Sequence, residues 1–217
     1  MKLTNQQIEC INQTLIEKGI KFDDIKLEVL DHIATEIENE MEVSNNDFPI
    51  VYNQVFDNWR EEFKLTRDFF SIRSTYPRLV QSKLINQFKK EVIVAVVSSI
   101  VLIISFQFVA DGQGKLQFLR LVKNVLFYTY FTTAAASIMI KVWNSKFKVT
   151  STYKQLFDSR FTSMIIFLSV VINSSIPPDL RNQNLYVGTI SCLFVFLISI
   201  IYVGMKHIQF QRKFSIQ

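Results

Sequence analysis

VIVAVVSSIVLIISFQFVA, residues 92–110, runs for nineteen positions without a charged side chain. A helix crossing the ~30 Å hydrocarbon core of a bilayer needs about 20 predominantly apolar residues. The stretch therefore reads as a membrane span. Three more runs follow it: about 122–142, whose apolar stretch 124–140 is bounded by Lys123 and Lys141, then 161–177, ending at the Pro177-Pro178 pair, and 185–205 before Lys206. Four such runs in 217 residues exceed what the buried core of a short soluble chain accounts for.

Charge divides the chain at the same place. Before Tyr76 there are fifteen acidic and eight basic residues; from Tyr76 onward there are four acids against sixteen Lys and Arg. The sequence pI of about 9.1 thus comes from cations that flank apolar runs. A basic stripe suited to nucleic acid is not the pattern, and nucleic acid is not an expected partner. Counting Lys and Arg in the flanks places twelve on one side (Arg78 to Lys90, Lys141 to Arg160, Lys206 to Lys213) and four on the other (Lys115, Arg120, Lys123, Arg181). By the positive-inside rule both termini face the cytoplasm, as expected of a multi-pass protein of the inner (plasma) membrane. The basic loop 144–160, with Phe147, Tyr153, Leu156 and Phe157, is expected to lie as an interfacial helix on anionic headgroups. The N-terminal MKLTNQQIEC has no apolar core of a signal peptide, so the first span is expected to serve as its own insertion signal.

Within the spans, small and hydroxyl residues recur at helical spacing: Ala95 with Ser99, Thr129 with Thr133 and Ser137, Gly188 with Cys192. Such faces let membrane helices approach closely. No ionisable side chain falls in the middle of a span on this reading; the nearest polar candidates are Gln107 and Asn173. Ion and proton pathways usually carry such groups, which weakens a pump or ion-coupled transporter.

Residues 1–75 read as an acidic helical domain. A first helix opens at Thr4, carries Ile8, Ile11, Leu15 and Ile16 on one side, and ends at Gly19. A second starts at Asp23 or Asp24, with Leu27, Leu30, Ala34, Ile37 and Met41 as its apolar stripe and Ile33 beside it. A third opens near Asn46 with Pro49 in its first turn, and runs through Phe48, Tyr52, Val55, Phe56, Trp59 and Phe63. A connector from Leu65 to Tyr76 contains Phe69 and Phe70. Thr75 and Pro77 then start a juxtamembrane helix, residues 76–91, that runs into the four-span domain of 92–217. The fold class is all-α: a three-helix cytoplasmic domain followed by a four-helix transmembrane bundle.

Chemistry is sparse. Glu28, His32 and Glu36 recur every four residues on a face opposite the Leu27–Ile37 stripe, so they are expected to be exposed. Ligands at such spacing occur in bundle metal sites, but no second helix offers matching ones, and a partner surface or a solvated face is the better reading. The five glycines form no phosphate loop, and Asp111-Gly112-Gln113-Gly114 reads as a turn. Cys10 and Cys192 fall in separate regions and have no plausible His partner; His207, beside Lys206, reads as an interfacial residue. No catalytic, cofactor-binding or metal residue is expected, and no enzyme. Partner-binding residues are expected among Glu28, His32, Glu36, Trp59 and Phe63.

Leu15-Ile16-Glu17-Lys18-Gly19-Ile20 and Glu28-Val29-Leu30-Asp31-His32-Ile33-Ala34-Thr35-Glu36-Ile37-Glu38 resemble the HAAS-type signalling domain, a small helical module placed before several membrane spans in bacterial proteins. The family's usual Gly-Pro ending has no counterpart here. The resemblance covers about the first third of the chain. It implies a regulatory or sensory membrane protein whose cytoplasmic domain binds a protein partner, such as a PadR-like transcriptional repressor or a transport component. An accessory membrane subunit of a transport system, formed as a homo-oligomer, is the alternative.

Overall fold

The structure, a computed structural model, describes residues 2–67, 75–173, 175–178 and 180–214. It is essentially all-α. The described residues form α1 (Asn5–Glu17), α2 (Asp23–Ser44), α3 (Phe48–Asn58), a short hairpin of β1 (Leu65–Arg67) and β2 (Thr75–Pro77), and then the long helices α4 (Arg78–Gln107), α5 (Gln113–Asn144), α6 (Thr152–Asn173) and α7 (Leu180–Phe214). They fall into two compact units, one of residues 1–86 with 149–152 and one of 87–148 with 153–217.

The first unit begins as its caps dictate. Thr4 Oγ1 accepts from the Gln7 amide and the Gln7 side chain accepts from the Thr4 amide, a reciprocal capping box. Gly19 closes the turn after α1 at φ +87°, a conformation a Cβ would strain. The second helix starts differently from expectation. Phe22 is its N-cap and makes no side-chain capping bond; Asp23 and Asp24 stand in the first turn, where the helix dipole favours their charge. Asn45 ends α2 in the left-handed region, and Asp47 with Pro49 opens α3.

The buried stripe of α2 is Ile25, Val29, Ile33 and Ile37, rotated from the expected one. Leu27 is exposed and Leu30 only half-buried. Choosing between the two stripes needs the neighbours: Ile11 and Leu15 of α1, Val51 and Val55 of α3, Phe63, and Val80 and Leu84 of α4 are all buried in this unit. Against such partners the β-branched row wins the inside. Thr75–Pro77, expected to open a helix, pairs instead as an antiparallel strand, Leu65 opposite Pro77 and Arg67 opposite Thr75. The ladder extends through Arg78 N–H to Lys64 O and Leu79 N–H to Glu62 O. Phe69 and Phe70 lie outside the described residues.

In the second unit four helices are long and apolar enough to cross a membrane; this is a multi-pass membrane architecture. Each helix begins before its apolar run; α5 and α7 also extend past its end, whereas α4 and α6 stop at Gln107 and Asn173. The loop 144–160 holds no separate interfacial helix: α5 continues to Asn144 and α6 begins at Thr152, so Tyr153, Leu156 and Phe157 belong to α6, with Phe157 fully buried. The small-residue faces meet as their spacing implied. Ser99 Oγ reaches Gly188 O at 3.2 Å and Cys192 Sγ at 3.4 Å, and Ser191 donates to Ser98 at 3.0 Å. Close approach of helices in an apolar medium rests on such small side chains. A Cβ on Gly204 would stand 3.0 Å from Ile140 and Phe157. Gln107 donates to Asn184 at 2.8 Å near the far end of the bundle.

Candidate functional site

The sequence of α3, FPIVYNQVFDN, sets two adjoining stripes. Val51 and Val55 go to the core, which leaves Phe48, Tyr52 and Phe56 on the neighbouring i, i+4, i+8 line. These three are half-buried, and their rings follow one another at 5.4 and 4.6 Å between centroids. The ladder continues past the helix end, where Phe63 stacks on both Phe56 (6.0 Å) and Trp59 (6.1 Å). Aromatic pairs at such spacing contribute attraction beyond the area they bury.

Beside the ladder lies an open cleft of about 470 Å³, lined by α1 (Thr14, Lys18), by Tyr52, Asn53, Phe56 and Asp57 of α3, and by Arg60, Phe63 and Lys64 of the following turn. Among the described residues, three of the eight cations before Tyr76 gather around this cleft in an otherwise acidic unit, with Asp57 as the single lining carboxylate. Lys64 pairs with Glu61 at 2.6 Å, and its hydrogen bond and charge hold the Glu61 carboxyl below the usual carboxylate range. Lys18 and Arg60 make no salt bridge among the described residues. Tyr52 hydroxyl and Thr14 Oγ1 share a hydrogen bond of 2.5 Å. Partial burial raises the Tyr52 phenol above the ordinary tyrosine range, against the pull of that bond and with help from nearby Cys10 and Glu17.

The residues singled out from the sequence divide here. Glu36, Trp59 and Phe63 come together: the Trp59 indole N–H donates to Glu36 Oε2 at 2.8 Å, and Phe63 is buried beneath the ladder. Glu28 pairs with Lys83, and His32 is exposed. The row of Glu28, His32 and Glu36 borders the true buried stripe of α2 instead of standing opposite it. Among the described residues no three His, Cys, Asp or Glu side chains come together as a metal-holding group. The i, i+4 spacing of the aromatic ladder was present in the sequence. The convergence of Lys18 with Arg60 and Lys64 was not, because the turn after α1 and the turn after α3 meet only through packing.

Two polar arrangements had no signal in the sequence reading. In the first unit Asp23 and Asp24 hold the segment 149–152. Asp23 Oδ2 accepts from the Thr150 amide (2.8 Å) and hydroxyl (3.1 Å), Asp23 N–H donates to Thr150 O (3.0 Å), and Asp24 accepts from the amide (3.0 Å) and the hydroxyl of Thr152. In the second unit ionisable side chains beside the apolar runs are held inside the helix bundle. Arg160, counted as a flank, lies more than two turns inside α6 and is 8% exposed. Its guanidinium donates to Glu91 Oε2 at 2.6 Å and to Ser199 Oγ at 2.7 Å. His207, just past the last apolar run, is fully buried within the protein, with its Nε2 2.8 Å from Gln211 Nε2.

No known protein family, curated protein or solved structure matches the chain.

Proposed function

We propose that this chain is a regulatory or sensory membrane protein, both termini cytoplasmic, whose N-terminal helical unit binds a protein partner. The observation that carries the reading is the half-exposed Phe48–Tyr52–Phe56 ladder opening on a cleft with two cations, Lys18 and Arg60, that make no salt bridge among the described residues. Aromatic side chains and arginine are the residue types that dominate binding energy at protein interfaces. The resemblance of residues 15–38 to the HAAS-type domain supports the same reading and suggests a transcriptional repressor or a transport component as the partner. Photo-crosslinking tests it: a photoreactive residue at Asn53 of the full-length chain in its native membrane captures one protein, and one at the exposed Val43 does not. Arg60→Ala weakens that capture at least about tenfold, the usual cost of removing an interface anchor. Identical background capture at both positions would falsify the proposal.

A further inference from the structure

The second unit carries an open groove of about 340 Å³ between α4 and α7, and its polarity changes along its length. At one end stand Gln87, Lys90 and Glu91 of α4 with Ser199 and Tyr202 of α7; at the other stand Val94, Val195 and Ile198. Lys90 to Val94 is one turn of α4, and Tyr202 to Ile198 is one turn of α7 run in the opposite direction. Both walls therefore pass from polar to apolar over the same distance, toward the middle of the spans. That is the polarity profile of a phospholipid, headgroup first and acyl chain after.

The charges at the polar end select the headgroup. Glu91 is already committed: its Oε2 accepts from Arg160 and its Oε1 from Gln87 at 3.0 Å. Its negative charge is thus matched inside the protein. Lys90 is exposed and makes no salt bridge among the described residues. Lys206 sits over the Tyr202 ring, its Nζ 5.8 Å from the centroid. What the groove offers an occupant is therefore cationic, together with the Tyr202 hydroxyl. The apolar walls are open to the bilayer, since Val94 and Ile198 are exposed and only 6% of the apolar window of α4 is buried.

We infer that this groove is a binding site for one anionic phospholipid, its phosphate at Lys90 and Tyr202 and an acyl chain along Val94, Val195 and Ile198. Cationic pockets between membrane helices recognise acidic headgroups by this combination of charge and flanking apolar surface. The site does not depend on the partner proposed for the first unit.

Native mass spectrometry of the full chain in mild detergent, supplied with equal phosphatidylglycerol and phosphatidylcholine, tests this. The wild type retains one phosphatidylglycerol in preference to phosphatidylcholine. Lys90→Gln lowers that preference about fivefold, the effect of one lysine at a membrane surface, and Lys90→Arg preserves it. Arg120→Gln, on exposed α5 surface, leaves it unchanged. Ile198→Trp, which fills the apolar end, reduces retention of both lipids. Equal retention of the two lipids by the wild type, or the same preference in Lys90→Gln, overturns the assignment and leaves only non-selective annular lipid.

Discussion

Asp24 and Glu91 are carboxylates that each accept hydrogen bonds from a distant part of the chain, one in each unit, and they do so against different solvents. Asp24 takes the amide and hydroxyl of Thr152, and neighbouring Asp23 does the same for Thr150. Their groups trade water for protein partners of similar strength, so the net gain per bond is small. Glu91 meets a full charge, Arg160, buried among apolar helices. There the alternative to the pair is an ion without water, and the consequence of breaking it is correspondingly larger. The same functional group is thus a modest fastener in the first unit and an obligatory partner in the second.

This contrast can be broken at its strong end first. Arg160→Ala leaves Glu91 unpaired, and the expected loss of stability is about 3–5 kcal/mol, read by denaturant titration in detergent micelles. Pairing it with Glu91→Leu restores much of the loss, because no charge is then left buried. A loss no larger in Arg160→Ala than in the double variant would mean that water already reaches the pair.

Asp24→Ala comes next. It removes two acceptor contacts at the first residue of α6, with an expected cost of about 1–2 kcal/mol, the range for loss of a helix-capping side chain. Hydrogen exchange of residues 150–153 in the full chain should accelerate, while exchange in the α1–α3 core should stay as it was. Unchanged exchange at Thr152 would show that the contact contributes nothing in solution.

The smallest effect concerns a group in water-facing surroundings. The Tyr52 phenol is raised above its ordinary value by partial burial, so the folded state favours the protonated form. For an acid shifted upward, the sign is a loss of stability as pH rises through the unfolded-state value of about 10. Denaturation midpoints should fall slightly as pH rises above about 10. Tyr52→Phe should flatten this alkaline slope, and an unchanged slope would assign it to other groups.

How much was legible beforehand follows the range of each signal. Thr4 as a cap and Gly19 as a terminator are local, and both stand as expected. The Ala95–Ser99 and Gly188–Cys192 faces were marked by spacing, and they meet. The rotated stripe of α2 was not legible, since two adjacent apolar rows satisfy the same periodicity and only contact with α1 and α3 separates them. The partners of Arg160 were not legible for a related reason. A charge beside an apolar run looks like a flank until the helix is seen to begin at Thr152 and Glu91 is seen to neutralise it. The cleft of Lys18, Arg60 and Lys64 joins positions over forty residues apart, beyond the reach of any short pattern.

By itself the sequence determined that this is an essentially all-α chain with an acidic head and four apolar spans, because hydropathy and capping are properties of contiguous residues. Only the tertiary structure decided which polar groups are spent on one another and which are left open. A side chain's role depends on the partners and the dielectric that packing brings to it, and those come from elsewhere in the chain.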